Sequence, residues 1–258
     1  MELEFKDPFL LHGIFSMVGA HIMELNLVFD KDSISARTFD MIGVSCLDLK
    51  LDVNEVCNTY KYKHDAGCLN LGICVKHFMT VMKLVDRKST LGLICNNPDK
   101  LTFSIKDDKN VCQFDLKLME IETEPFDVDF PFETSSISFD AKYVSGFLSK
   151  INDTCDIIKL GICKDDKGSL FYNAEMDEGE IFGKLINGEA GGSPNVTCTV
   201  RVSRNLLNSY SSVKHDISKR IKFVFIDEAN PLRISYDIGE NNVFDLYIAP
   251  KVDLMDTS

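Results

Sequence analysis

The sequence predicts an α+β protein made of two copies of one domain. Three observations carry this. The order of helical and strand-like segments repeats. Two turn landmarks recur at nearly one spacing: Asn97-Pro98 matches Asn230-Pro231 at an offset of 133, and Ser33 matches Ser169 at an offset of 136. Few helices set against many alternating strands is the pattern of helices packed on antiparallel sheet. The apolar content of 45% with 26% charged residues is enough for a core in each copy.

The elements follow in order. In "DPFLLHGIFSMVGAHIMEL" (7–25), Phe9, Leu10, Ile14, Met17, Val18 and Ile22 fall at helical spacing, and Pro8 suits a first helical turn. "NLVF", the polar turn "DKDS", then "ISARTFD" and "VSCLDLKLDV" read as strands and turn. "NLGICVKHFMTVMKLVDRK" (70–88) reads as a second amphipathic helix. "TLGLIC", the turn "NNPDK" and "LTFSI" form a hairpin, and "NVCQFDLKL" alternates as a strand. The second half repeats this order. A helix over 140–155 is followed by strands in "DIIKLGIC" and "LFYNAEM", a strand-to-helix run over 197–215, and a closing hairpin "RIKFVFI", "DEANP", "LRISYDI". The copies are placed at 1–117 and 136–258, joined by a connector at 118–135. That connector is acidic yet carries Phe126, Val128, Phe130 and Phe132. These apolar side chains either pin it to the surface or help form a docking groove.

Charge and cysteine usage bound the function. A net charge of −12 argues against nucleic acid unless basic residues are segregated on an inner stripe. No stretch is apolar and long enough for a membrane helix, and the N-terminus has acids where a secretion signal needs bases. Nine scattered cysteines, an odd number, read as reduced thiols rather than a disulfide framework. Together these predict a soluble intracellular protein, in which the sequons at Asn152 and Asn195 are chance matches.

No catalytic constellation rises above background. His64, Cys68, Cys74 and His77 are spaced too loosely for an ordinary zinc site. "EAGGS" (189–193) lacks the Lys and helix of a phosphate loop. Glu175, Asp177, Glu178 and Glu180 read as a solvated hairpin. The helices offer His12, Lys76, Lys83, Lys150, Arg204 and Lys214. These are either ordinary solvated positions or one concave surface that touches phosphates without reading bases.

The chain ends in "LYIAPKV", similar to the terminal Tyr-aliphatic-Ala-Pro-Lys-aliphatic motif of the eukaryotic sliding clamps, the proliferating cell nuclear antigen family. "LMEIETEPF" resembles the start of that family's interdomain loop. "DMIGVSCLDLKL" (40–51) resembles its strand beginning Asp-Ser-Ser-His-Val, and "NPLRISYDI" its late hairpin. The resemblance covers the whole chain. It implies a ring-forming homotrimer that encircles double-stranded DNA without sequence preference. Such a ring serves as processivity factor and docking platform for DNA polymerase and other PIP-box proteins, is opened by a clamp loader, and works in the nucleus. It implies no enzyme activity, catalytic residue, metal or cofactor, and no membrane partner. His12, Lys76, Lys83, Lys150, Arg204 and Lys214 would face DNA. A client-peptide pocket would take in Val44, Cys46, Phe126, Val128, Pro231, Leu232, Tyr247, Ala249 and Pro250. The strands around Phe114 and around Ile181 to Leu185 would pair between subunits, and Lys164 matches a modified lysine.

Gly43 stands where the family has His, and Gly13, Gly19, Met79, Gly146 and Ser149 stand where it has bases. Rival readings are a subunit of the heterotrimeric checkpoint clamp, a monomeric viral-type processivity factor, and a small enzyme using a cysteine.

Overall fold

The structure, a computed structural model, describes every residue except 65–66, 123–134, 152–154, 164–165, 177–178, 193–196, 213–216 and 252–258. The first repeat runs β1 (Glu2–Phe5), α1 (Phe9–Val18), β2 (Glu24–Phe29), β3 (Ser33–Phe39), β4 (Ser45–Asp52), the single turn α2 (Val53–Val56), β5 (Cys57–Lys61), β6 (Leu69–Cys74), α3 (Val75–Met82), β7 (Thr90–Asn97), β8 (Lys100–Lys106) and β9 (Val111–Lys117). The second runs β10 (Ser135–Asp140), α4 (Ala141–Leu148) with a 3₁₀ turn at Ser149–Ile151, β11 (Ile157–Cys163), β12 (Asp166–Met176), β13 (Gly179–Leu185), β14 (Glu189–Gly192), β15 (Cys198–Ser203), α5 (Arg204–Ser211), β16 (Arg220–Phe225), β17 (Leu232–Tyr236) and β18 (Val243–Ile248).

The repeat holds at the level of strand pairing. β1 sits between β5 and β7 as β10 sits between β14 and β16. β2 sits between β3 and β6 as β11 sits between β12 and β15. β4 pairs β3 as β13 pairs β12, and the run β7-β8-β9 matches β16-β17-β18. All these pairs are antiparallel. One contact joins the repeats into a nine-stranded sheet: β18 lies against β4, from Val243 opposite Lys50 to Ile248 opposite Ser45. The five-stranded sheet then ends at β9 and the four-stranded sheet at β13.

Four helices form a row on the sheets, α3 against α1, α1 against α5 and α5 against α4. Their apolar stripes meet the inner faces of the strands in one continuous core. Phe15 and Phe78 have ring centroids 4.6 Å apart, and Phe78 meets Phe103 at 5.2 Å. All three are fully buried, each contributing roughly 1.5–3 kcal/mol. Asp52 and Asp140 cap α2 and α4 by accepting from the amides of Asn54 and Tyr143.

Several sequence boundaries are corrected. α1 ends at Val18, where the amides of Gly19 and Ile22 close the last turn on Phe15 O and Val18 O. Leu25, the last residue of the run 7–25 read as helical, belongs to β2 and lies opposite Ile73. The run 70–88 is not one helix. Leu69–Cys74 is β6, because pairing with β2 satisfies its backbone, and only Val75–Met82 is helical. The helix over 140–155 stops at Leu148 and tightens to 3₁₀. Strands β1, β5, β10 and β14 were not predicted; at four to six residues each they are short, although Glu2–Phe5 and Ser136–Phe139 do alternate polar and apolar residues.

Gly72 has a specific task. A Cβ there would lie 2.1 Å from the Met119 carbonyl oxygen. The start of the connector therefore passes directly over β6, with Met119 N donating to Gly72 O at 3.0 Å and Asn26 Nδ2 to Ile121 O at 3.2 Å. Among the cysteines Cys46, Cys57, Cys95 and Cys198 are buried, whereas Cys68 and Cys112 are exposed. All nine are free thiols, as the composition predicts.

Candidate nucleic-acid and peptide interfaces

The helical row carries an unusual charge pattern. The chain has 40 Asp and Glu, yet α1, α3, α4 and α5, of 10, 8, 8 and 8 residues, contain none. Segregation of that kind lets a net acidic protein present a face that does not repel phosphate. Lys76 on α3, Lys83 at its C-terminal cap and Lys150 in the 3₁₀ turn after α4 are exposed there. Exposed His77 and Lys142 join them. Lys142 was missed, although Lys142, Ser145, Gly146 and Ser149 share one helical face. Two predicted residues are placed otherwise. Arg204 is only 9% exposed; its Nε donates to Cys155 O at 2.7 Å, so it closes the start of α5 instead of facing solvent. His12 is half-buried, stacked on Phe9 at 6.0 Å. The exposed bases thus sit on the two outer helices, whereas α1 and α5 between them expose no charged side chain. Lys214 lies outside the described residues.

The C-terminal segment meets the 40–46 loop on the opposite side of the sheet. The Asp40 carboxylate accepts from the amides of Val44 at 2.8 Å and Ser45 at 3.1 Å, closing the loop whose left-handed corner is Gly43. Ala249 N donates to Val44 O at 2.8 Å, and Lys251 N donates to Arg201 O at 2.7 Å. These two bonds fix the chain on both sides of Pro250. Phe39, Cys46, Tyr247 and Arg233 form one row across β3, β4, β18 and β17. Burial pushes the Cys46 thiol and the Tyr247 phenol each up to about 12.

Val44, Pro231, Ala249 and Pro250 are half-buried at the ends of these strands, with Met41 and Ile42 fully exposed beside Val44. Sequence reading missed Phe39, Met41 and Ile42, although three large apolar residues around a turn are a usable signal. Leu232 is corrected: it is buried and shares the core-facing parity of Ile234 and Tyr236, so it supports the surface from beneath. Phe126 and Val128 lie outside the described residues, as does Lys164. Phe114 is exposed on β9, Ile181 is half-buried on β13, and Leu185 is buried in its own repeat. Glu175 and Glu180 face one another in the solvated β12–β13 hairpin. Among the described residues no three His, Cys, Asp or Glu gather closely enough to hold a metal.

Residues 1–126 match the family model described as the N-terminal domain of proliferating cell nuclear antigen. A curated relative, DNA polymerase sliding clamp 3 of Sulfurisphaera tokodaii, is 23% identical over 98% of this chain and 100% of its own length. Proliferating cell nuclear antigen of Saccharomyces cerevisiae is 23% identical over 64% of each chain. The crystal structure of proliferating cellular nuclear antigen from Entamoeba histolytica superposes with a TM-score of 0.85 at 18% identity, covering 97% of this chain and 98% of that one. The duplicated repeat with its helical row is the fold of a sliding clamp. Within that class residues 1–126 match the proliferating cell nuclear antigen N-terminal domain, and the chain as a whole is similar to divergent sliding clamps and shares the fold of proliferating cell nuclear antigen.

Proposed function

We infer that the protein is a DNA sliding clamp, in which three copies close a ring around duplex DNA and hold polymerases and other replication or repair proteins to it. The observation that carries this reading is the row of four helices without a carboxylate in a protein of net charge −12. Lining a closed hole, it would meet phosphates through Lys76, Lys83, Lys142 and Lys150. Contact with phosphate alone leaves the ring free to slide and makes its grip sensitive to salt.

The internal repeat supports closure. β4 and β18 are paired within the chain, whereas among the described residues their counterparts β13 and β9 each end a sheet. An unpaired edge is a template for another strand. Head-to-tail pairing of β9 with β13 of the next copy would repeat the β18–β4 seam and close a cyclic assembly.

Client proteins would dock across the 40–46 loop and the C-terminal segment, with apolar anchors on Phe39, Met41, Ile42, Val44 and Pro250 and the connector residues Phe126 and Val128 completing the site. A clamp loader would open the ring, and the site of action would be the nucleus, with Lys164 as a candidate for modification there.

Light scattering on a sizing column tests the assembly. The subunit is 29.1 kDa, so a ring should elute at about three times that mass. A monomer at micromolar concentration would overturn the ring and favour a heterotrimeric or monomeric relative. Retention on circular but not linearised plasmid tests encirclement, and localisation of the tagged protein tests nuclear residence.

A further inference from the structure

Each repeat lays a segment of chain against the same place on its outer sheet. Val75 N donates to Met23 O at 2.8 Å where α3 begins, and Arg204 N donates to Asp156 O at 3.0 Å where α5 begins. Counting back along the paired strands from these two bonds, Gly72 opposite Asn26 matches Arg201 opposite Lys159. The connector meets the first of these places and the C-terminal segment meets the second. Met119 N donates to Gly72 O at 3.0 Å, and Lys251 N donates to Arg201 O at 2.7 Å. Leu101 opposite Leu116 matches Leu232 opposite Ile248. Met119 and Lys251, each three residues further on, are therefore equivalent as well.

The surfaces beneath the two segments differ in charge. In the first repeat this face carries Arg37 with its Nε 3.6 Å from the Asp48 carboxylate. The second repeat gathers bases around two phenyl rings. Arg201, Lys159, Asn173 and Phe182 form one row across β15, β11, β12 and β13, and Phe171 faces Lys184 two residues along. Lys159 and Lys184 are exposed. Phe182 is 71% exposed and stacks on Phe171 with centroids 6.4 Å apart, and Lys184 Nζ lies 5.8 Å from the centre of the Phe171 ring. The Asn173 side-chain oxygen is buried and accepts no hydrogen bond among the described residues. Glu175 and Glu180 stand in the next row toward the hairpin tip, which steers a negative ligand to the Lys184 side.

Beyond Lys251 the sequence reads Val252-Asp253-Leu254-Met255-Asp256, with apolar and acidic residues interspersed. We propose that these five residues dock across the outer face of the four-stranded sheet, with Asp253 against Lys159 and Arg201, and Leu254 and Met255 against Phe171 and Phe182. The repeat sets this placement. Asn26 Nδ2 donates to Ile121 O at 3.2 Å, two residues past Met119. Two residues past Lys251 is Asp253, and Lys159 stands where Asn26 stands. A charge-assisted contact thus replaces an amide hydrogen bond. Strands lie about 4.8 Å apart and an extended residue covers about 3.3 Å, so five residues reach from β15 to β13 and bring Asp256 to Lys184. A backbone N–H passing over the sheet supplies the donor that Asn173 lacks. Gly72 lets the Met119 carbonyl rest directly on β6, whereas the Arg201 side chain fills that space on β15. The tail is accordingly held by side chains, and salt loosens it. Docking of this kind is a property of the single chain. Only its consequence rests on the clamp reading: the strap draws the acidic tail away from the client surface at the 40–46 loop.

Carboxypeptidase digestion at low salt, followed by mass spectrometry, reads the tail directly. The proteins are wild type, Lys159→Glu, Asp253→Lys and the double variant, and each rate is divided by that of a free peptide of the same 249–258 sequence. The wild-type tail should be trimmed about tenfold more slowly than its peptide. Each single variant should be trimmed about threefold or more faster than wild type, and the double variant, which restores opposite charges, should return close to it. Raising the salt should narrow the gap between wild type and Lys159→Glu. Lys159 is exposed, so Lys159→Glu should keep the wild-type melting temperature. A wild-type tail trimmed as fast as free peptide overturns the proposal, as does a protected tail indifferent to the charge at position 159. An acidic peptide that binds beside Lys159 while the tail stays open to digestion also overturns it and assigns the surface to a partner. A protected tail on a chain that stays monomeric supports the strap and overturns the ring reading instead.

Discussion

Tyr210→Phe removes one hydroxyl from the centre of the molecule, and the structure sets the size of the effect. The Tyr210 hydroxyl lies 2.7 Å from Ser45 Oγ, and both residues are almost fully buried. Tyr210 belongs to α5 in the second repeat and Ser45 opens β4 in the first, so the bond spans the internal seam beneath the Asp40 loop. Burial holds the phenol up at about 12, so it is neutral at working pH and either hydroxyl can donate. Tyr210→Phe loses a bond worth about 1 kcal/mol net and strands a buried serine oxygen, for a total of about 1–3 kcal/mol. Ser45→Ala strands the phenol at similar cost. The double variant leaves neither group unpaired and should cost less than the sum, by about 1–2 kcal/mol. Urea unfolding at one fixed protein concentration measures all four proteins, provided the slope is unchanged. Strictly additive single effects would refute the claim that this bond, and not the packing of the ring alone, ties α5 to the loop.

Four further outcomes are expected. His21 has its pKa lowered mainly by burial, against an opposing pull from Asp40, and its Nε2 lies 3.0 Å from Ser209 Oγ. The unfolded chain therefore takes up that proton first, and the residue's contribution to stability, complete above its unfolded value of 6.5, is lost as pH falls below it. Melting curves of wild type should drop more steeply than those of His21→Gln between about pH 7 and 5.5. Asp48 and Asp245 face each other across the internal seam, and burial raises both carboxyls above their ordinary 3.8. Asp48→Asn should raise the melting temperature at neutral pH, with a gain that shrinks as acid protonates the wild-type pair; an unchanged gap across the titration would count against this. Thiol labelling of the dilute native chain should modify Cys68 and Cys112 quickly and Cys46 and Cys57 slowly, since burial raises the last two to about 12 and 11. In the assembled ring Cys112, on the β9 edge, should become protected, and equal rates in both states would contradict pairing at that edge. Lys76→Ala combined with Lys83→Ala should shorten retention on circular DNA and flatten its salt dependence by about two counterions per subunit that contacts phosphate.

The class of fold and its duplication were readable from the chain alone. Period-3.6 and period-2 patterns mark elements locally, and the Asn-Pro and serine turns repeat because each copy must make the same reversals. The carboxylate-free composition of the four helices was also present in the sequence. It could be recognised only once their ends were known, because an overall charge of −12 averages an acidic exterior with a neutral and basic stripe. The terminal motif marked a fixed course for the C-terminal segment for a similar reason: Pro250 restricts the backbone whatever surrounds it.

What the sequence left open depends on contacts between distant segments. Leu69–Cys74 carries apolar residues at positions that suit a helix or a strand, and only its pairing with β2 decides between them. Arg204 reads as a surface base on helical spacing until the Cys155 carbonyl takes its guanidinium. Leu232 and Arg233 are neighbours in sequence, yet the pleat sends one into the core and the other into the outer row with Tyr247. The seam is the clearest case. β4 and β18 are nearly 200 residues apart, and no local periodicity encodes their register, because it is set by which side chains share a face after the sheets close. Local pattern therefore determined many of the elements and the number of repeats. Tertiary structure decided which edges are satisfied within one chain and which are left for the next, because an edge is free only when no distant strand has reached it.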